Sequence, residues 1–260
     1  MGTNPILDKI ARFRRRLADG PAVAGPYLDF DGWQMLRPLA NGTRFDFVWI
    51  DLEHGALRSD GAYKAVDTLA PTGLVPIVRA TSTEDSVLKR VADMGAAGIV
   101  LPQVGSGEQA RQAVASCLYP PAGARGVGPN IAANQWMVDS REYVLRIHTE
   151  NVLLIAQIES PEGATSIEDI CAVERIDVVF VGRYDLSASL GHPMETEHPE
   201  VVRLEQHVVA TARERGKAVG TIATTPAAFR KTLEQGYDFI LTTGLAKLAC
   251  MGASALFEDA

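Results

Sequence analysis

Eight short apolar runs punctuate the chain, at residues 22–28, 45–50, 74–78, 98–101, 152–158, 178–181, 218–222 and 239–241. Several are continuous rather than alternating in hydrophobicity, as expected of parallel strands buried on both faces. The segments between them carry a helical period. Residues 85–94 place Val87, Leu88 and Val91 at helical spacing and end at Gly95. Residues 161–173, 199–215 and 226–235 each open on proline, which suits a first helical turn, and the last two stop before Gly216 and Gly236. An N-terminal amphipathic helix is expected over 5–17. Strand–helix alternation of this kind predicts an α/β protein, a single (β/α)8 TIM barrel over 1–260 without a domain boundary. A doubly wound open sheet is the competing architecture. One segment breaks the rhythm: 119–136 is rich in Pro, Gly and Asn and is expected to be a long loop, either a functional lid or interface element or a disordered insertion.

Composition narrows the function classes. A net charge of −7 argues against nucleic acid or an anionic membrane as partner, since those surfaces need clustered Lys and Arg. The one basic run, Arg12 to Arg16 with Phe13 between, is expected to be a solvated helix face. Cys117, Cys171 and Cys250 lie far apart with no CxxC spacing, so neither a disulfide framework nor a thiolate zinc site is suggested. With no apolar signal core and no apolar run near the ~20 residues that span a bilayer, a cytoplasmic protein is expected.

In a barrel, residues just past the C-terminal ends of the strands face the active-site mouth. Those positions are markedly polar here: Asp51-Leu52-Glu53-His54 after the second strand, Arg79 after the third, and Gln103 and Ser106 after the fourth. Gln157 and Glu159 belong to the fifth strand, Gly182-Arg183-Tyr184-Asp185 follows the sixth, and threonines end the last two. Glu159 and Asp185, from adjacent strands, suit a hard divalent cation, which takes one or two carboxylates plus water and substrate oxygens; Asp185 is equally placed to cap a turn. His54 is the best-placed acid or base, because imidazole titrates near neutrality, with Asp51 and Glu53 beside it as candidates to orient the ring. Arg79 is placed either to hold a carboxylate or developing oxyanion, or to pair with Asp51 or Glu53; the two roles are compatible.

Together these segments resemble the class II pyruvate aldolases, the hydroxy-oxo-heptanedioate aldolases and relatives such as 2-dehydro-3-deoxyglucarate aldolase. The matching motifs are Asp51-x-Glu53-His54, Val78-Arg79, Asp93-x-Gly95, Pro102-Gln103-Val104, Tyr119-Pro-Pro-x-Gly-x-Arg125-Gly, Gln157-Ile-Glu159 and Val181-Gly182-x-Tyr184-Asp185-Leu-Ser, in the family's order from about residue 20 to 245. The resemblance implies that Glu159 and Asp185 bind Mg²⁺, Mn²⁺ or Co²⁺. It assigns Gln157 and the backbone around Gly182, Arg183 and Tyr184 to the carboxylate of a 2-oxo acid, and Arg125 to the substrate-binding set. His54 would move the proton of the aldol hydroxyl, with Asp51 in support, and Arg79 would steady enolate charge. Asp93 matches a residue that reaches His54 from a neighbouring subunit, and a homo-oligomer, a hexamer exchanging its C-terminal helices, is implied. Substrates would be a small 2-oxo acid and an aldehyde.

Arg183, Tyr184, the segment 24–27 and Pro129-Asn130 depart from the family pattern, all around the substrate rather than at the metal or base. The alternative enolate chemistry is oxaloacetate decarboxylation of the macrophomate synthase type, and a barrel that only binds a 2-oxo acid is the non-enzymatic alternative.

Overall fold

The structure, a computed structural model, describes residues 4–257. Eight strands form a closed parallel barrel in sequence order: β1 Val23–Leu28, β2 Phe47–Asp51, β3 Val75–Arg79, β4 Gly98–Leu101, β5 Leu153–Ile158, β6 Val178–Val181, β7 Ala218–Ile222 and β8 Phe239–Gly244. Closure comes from β1 pairing with both β2 and β8, with a shift in register between Gly25 and Tyr27 on the β8 side. The barrel, not the open sheet, is therefore the architecture, and the apolar runs locate all eight strands.

Side chains along a strand point alternately to its two faces, and that parity divides the core in two. Phe47, Trp49, Val75, Ile77, Ile155, Phe180 and Phe239 fill the barrel interior, while Val48, Ile50, Val78, Ile99, Leu154, Ala156, Val179 and Ile240 pack outward against the helices. Phe47 and Phe239 stack with centroids 4.3 Å apart, and Trp49 lies 5.0 Å from Phe180. Extending the inward parity one step past the apolar positions gives Tyr27, Asp51, Arg79 and Gln157. The upper layer of the interior is thus polar by strict continuation of the register that makes the lower layers apolar.

The helix Pro5–Asp19 closes the lower end. Asn4 caps it by accepting from the Ile6 and Leu7 amides, and Ile6, Ile10 and Phe13 insert beneath the barrel, Phe13 lying edge-on to Phe47 at 6.0 Å. Its basic run is not simply a solvated face. Arg14 pairs with Asp177 at 2.8 Å and Arg16 with Asp46, tying the plug to the loops that enter β6 and β2.

Two other expectations are revised. The segment 161–173 is two short helices, Pro161–Thr165 and Ile167–Cys171, hinged at Ser166; Gly163, Thr165 and Ser166 are weak helix formers, and Gly163 lies so close to Val104 that a Cβ would stand 2.5 Å from its carbonyl oxygen. The segment 119–136 is not structureless. It contains the helix Asn130–Gln135, and Trp136 is buried with Nε1 donating to Gly95 O at 2.9 Å. Among the described residues no helix is long and apolar enough to cross a membrane.

Because Phe13 fills the barrel floor, Phe13→Ala should destabilise the fold by about 3 kcal/mol, the low end for buried Phe truncation. Urea unfolding measures this, and a loss under about 1 kcal/mol would show that the plug is dispensable.

Candidate active site at the barrel mouth

The polar upper layer opens into a cavity of about 410 Å³ at the C-terminal ends of the strands. Trp49, Phe180, Ile222 and Leu241 form its apolar floor and wall. Tyr27, Asp29, Asp51, His54, Arg79, Gln157, Gly182, Arg183, Tyr184, Asp185 and Thr224 supply its polar lining.

Arg79 organises this layer. Its Nε donates to Asp51 Oδ1 at 2.8 Å, its Nη2 to Asp51 Oδ2, and its Nη1 lies 3.1 Å from Glu53 Oε2, while the guanidinium carbon sits 5.6 Å from the Trp49 ring centre. The register pairs Asp51 directly with Arg79 on the adjacent strand. Burial works against the guanidinium charge, but the hydrogen bonds and charge of Asp51, then the charges of Glu53 and Glu159, hold its pKa above the ordinary value.

Asp51 also accepts from the backbone amides of Glu53 and His54, at 3.0 and 3.4 Å. This fixes the turn that carries His54 without touching the ring. The expectation that Asp51 or Glu53 orients the imidazole is therefore corrected: both carboxylates are committed to Arg79. His54 is exposed at the cavity rim, and its ring makes no hydrogen bond among the described residues.

Glu159 is buried just past β5, where Gln103 N–H donates to Oε1 at 2.8 Å and Gln157 Nε2 donates to Oε2. Gln103 adopts φ 52° to make this contact, and its Nε2 reaches Glu53 Oε1 at 3.1 Å. Gly182 is required here, since a Cβ would stand 2.8 Å from Glu159 Oε2 and 3.1 Å from Gln157 Nε2. Burial, then the neighbouring charges of Glu53 and Asp185, push the Glu159 carboxyl up to about 8 against the opposing pull of the Gln103 amide and Arg79. Glu53 is raised by burial too, with Arg79 offsetting it.

Asp185 lies in the first turn of the helix Arg183–Ser189, which no side chain caps, so its carboxylate is not spent as a cap. The Ser189 hydroxyl bridges the two acidic segments through the carbonyls of Asp185 at 2.8 Å and Glu159 at 3.3 Å. Glu53, Glu159 and Asp185 thus lie together with Arg79 as the one cation among them, and Gln157 Oε1 is buried without a partner. Oxygen-only donors with excess negative charge fit a hard divalent cation better than a zinc cage of imidazole and thiolate.

Three expected residues stand elsewhere or differently. Arg183 lines the cavity, but its Nε donates to Glu205 at 2.7 Å and its Nη1 is 3.7 Å from Glu197, so its charge is matched within the fold and is not an added cation facing the pocket. Arg125 is not at the mouth. It is buried just past the helix Gly107–Cys117, with Nη2 on Asp93 Oδ1 at 2.6 Å, Nη1 3.1 Å from His148 Nε2 and its carbon 4.3 Å from the Tyr119 ring centre. Helices run back down the barrel, so this cluster sits at the end opposite the cavity. A direct substrate contact from Arg125 in its own chain is corrected to a buried structural role, and Asp93, with its side chain 32% exposed, is out of reach of His54 in the same chain.

Asp29, Trp49 and Phe180 line the cavity although the sequence reading names none of them as site residues, and Tyr27 enters it only within the departing segment 24–27. The inward parity of β1, β2 and β6 was the signal that could have found them. Tyr27 lies across the end of β8, where a Cβ on Gly244 would stand 2.5 Å from its ring.

Residues 33–249 match the sequence model of a family described as HpcH/HpaI aldolase/citrate lyase. A hydroxypyruvate/pyruvate aldolase of Cupriavidus necator is 35% identical over 240 residues, 92% of this chain and 86% of that protein. A 2-keto-3-deoxy-L-rhamnonate aldolase of Salmonella gallinarum is 35% identical over 230 residues, 88% of this chain and 85% of that protein. A solved HpcH/HpaI aldolase/citrate lyase family protein from Burkholderia cenocepacia J2315 superposes with a TM-score of 0.86 at 31% identity, covering 95% of this chain and 98% of that one.

A carboxyl raised in the folded state favours the fold while protonated, and that stability is lost as pH rises through the folded value. Metal-free protein should therefore lose thermal stability as pH rises from 4.5, the ordinary carboxyl value, to about 8, as Glu159 is forced to ionise. Glu159→Gln should flatten that slope in a melting series, and an unchanged slope would show that Glu159 does not titrate there.

Proposed function

The chain belongs to the HpcH/HpaI aldolase/citrate lyase family, and on that premise we propose that it is a metal-dependent carbon–carbon lyase that reversibly cleaves a 4-hydroxy-2-oxo acid into pyruvate, or a hydroxypyruvate-like 2-oxo acid, and an aldehyde. The observation that supports this most is the mutual approach of Glu53, Glu159 and Asp185 beside a cavity that Asp185 and Arg79 line, with Arg79 already fixed by Asp51.

Glu159 and Asp185 would hold the cation, which is Mg²⁺, Mn²⁺ or Co²⁺ by the family resemblance and the oxygen donor set. When bound it supplies a Lewis acid that lowers the cost of negative charge on a neighbouring keto oxygen. Gln157, with the first amides of the helix Arg183–Ser189 behind Gly182, would take the substrate carboxylate, and Tyr184 would border the acceptor side. Arg79 would face the keto and acceptor oxygens with an orientation that Asp51 and Glu53 set in advance, so no rearrangement is needed as charge develops.

In the cleavage direction His54 takes the proton from the C4 hydroxyl. The C3–C4 bond breaks, its electron pair passes into the 2-oxo group as the aldehyde forms, and protonation at C3 completes the 2-oxo acid. The apolar floor of Trp49, Phe180 and Leu241 keeps water from competing at C3. Among the described residues no lysine lines the cavity, so none of them offers a Schiff-base nucleophile there.

Oligomer assembly belongs to the same proposal. Met251, Leu256 and Phe257 are exposed on and after the last helix, Leu245–Ala255, of which Leu245 is buried, and Val127 and Ile131 are exposed beside the Arg125 cluster. These apolar surfaces support a homo-oligomer, a hexamer by resemblance, in which Asp93 would approach the His54 of a neighbouring copy.

Purified protein with Mn²⁺ and pyruvate in deuterated water should exchange the pyruvate methyl protons, read by NMR. Arg79→Ala and chelation should each abolish the exchange, while His54→Ala should slow aldol cleavage by about 10²- to 10⁴-fold, the usual worth of a positioned acid–base group. Metal-loaded protein that exchanges no methyl protons would sink the proposal.

A further inference from the structure

The loop from residue 190 to 198 and the start of the helix Pro199–Glu214 that follows it bring together three metal-ligating side chains that the aldolase reading leaves without a task. His192, His198 and Glu200 each offer one ligand atom, and these atoms lie within 4.8 Å of one another. None of the three lines the main cavity. The two imidazoles are stacked with centroids 3.5 Å apart and planes 18° apart, and His192 Nε2 lies 4.0 Å from Glu200 Oε2.

The backbone holds the loop in this shape without any ion. Gly191 takes φ +83°, which glycine adopts without steric cost, and lets His192 N–H reach back to Ser187 O at 2.8 Å, closing the end of the preceding helix. Two further turns follow, Glu195 N–H to His192 O and His198 N–H to Glu195 O, both 3.0 Å. They return the chain so that His198 lies over His192 and Pro199 can start the next helix, whose second residue is Glu200. Glu197, between them, is anchored by Lys231 at 3.2 Å and faces Arg183 at 3.7 Å. Residue types, proximity and a pre-shaped loop are therefore in place.

We propose that His192, His198 and Glu200 form a second metal site, selective for a borderline transition ion such as Zn²⁺ rather than for Mg²⁺. Two imidazoles and one carboxylate are ligands that zinc accepts, with water completing a tetrahedron. Mg²⁺ prefers oxygen ligands in an octahedron and is poorly matched to two nitrogens. Zinc–ligand bonds of about 2.0–2.1 Å place ligand pairs roughly 3.3 Å apart, so the side chains need to close by an ångström or so, within reach of χ rotations at partly exposed positions. His198 accepts from Glu200 N–H through Nδ1 at 3.3 Å and stacks on His192; a rotating ring gives up this long bond and part of the stack. The bound ion would clamp the loop to the start of the helix Pro199–Glu214, beside the Arg183–Glu205 pair that borders the mouth.

Full-length protein equilibrated with Zn²⁺ under saturating Mg²⁺, then dialysed against Mg²⁺ buffer, tests this by atomic emission. One tightly held zinc per chain is expected, with X-ray absorption showing two imidazole ligands. His192→Ala and Glu200→Gln, each checked by circular dichroism to be folded, should reduce the retained zinc at least tenfold, while Glu159→Gln should retain it. Absence of retained zinc in the wild type, retention in both loop variants, or loss only in Glu159→Gln would overturn the proposal. None of these readouts depends on aldolase activity.

Discussion

One guanidinium facing an excess of carboxylates is the constraint on which the site depends. Arg79 is buried at the top of β3 and held by Asp51 and Glu53, while the charge of Glu159 also acts on it and Asp185 lies beside Glu159 in turn. Buried charge is tolerated when it is paired and hydrogen-bonded, and here the pairing is deliberately incomplete. Arg79 is ion-paired; Glu159 accepts hydrogen bonds at both oxygens but has no salt-bridge partner among the described residues, and its carboxyl is driven upward by burial and by its acidic neighbours. A fold that only needed stability would place apolar side chains in this layer. The cost of the excess negative charge is intelligible if the layer exists to receive a cation and an anionic substrate.

The barrel supplies that constraint through parity. The same inward-facing positions that carry Phe47, Trp49, Ile77 and Phe180 in the lower layers carry Asp51, Arg79 and Gln157 one step higher, so the reactive groups sit on rigid strands above an aromatic floor. The opposite end does different work. The plug Pro5–Asp19 and the cluster of Arg125, Asp93, His148 and Tyr119 hold it shut, with His148 held well below the ordinary imidazole value by burial and by Arg125 and Arg175. A neutral imidazole beside a buried guanidinium is a packing and hydrogen-bonding element rather than a proton carrier. Chemistry at the mouth and stability at the base are thus spatially separated.

Much of this was legible in the linear pattern, because strand existence and strand parity are local properties. The eight apolar runs placed the strands, and the polar residues following them placed Asp51, His54, Arg79, Gln157, Glu159 and Asp185 at one end. What the pattern could not show are pairings between distant elements. Arg183 looks like a free cation beside the pocket until Glu205, on the helix two segments later, is seen to match it. Arg125 sits in a glycine-rich segment that reads as mobile, and only the approach of Asp93 and His148 shows it to be buried. Tyr27 enters the sequence reading only within the departing segment 24–27; the room made by Gly244 on the neighbouring strand shows where its ring lies. For Asp51 the sequence offers two partners, His54 by adjacency along the chain and Arg79 by adjacency across the sheet, and the register selects Arg79.

The account stands or falls on where a hard cation and a 2-oxo acid settle together. An anomalous difference map from crystals grown with Mn²⁺ and pyruvate measures this directly. It should show one strong peak between Glu159 and Asp185, with pyruvate beside it and Arg79 still held by Asp51. A manganese peak confined to any other part of the chain, or pyruvate ordered away from Arg79, would contradict the assignment of the barrel mouth as the reaction centre.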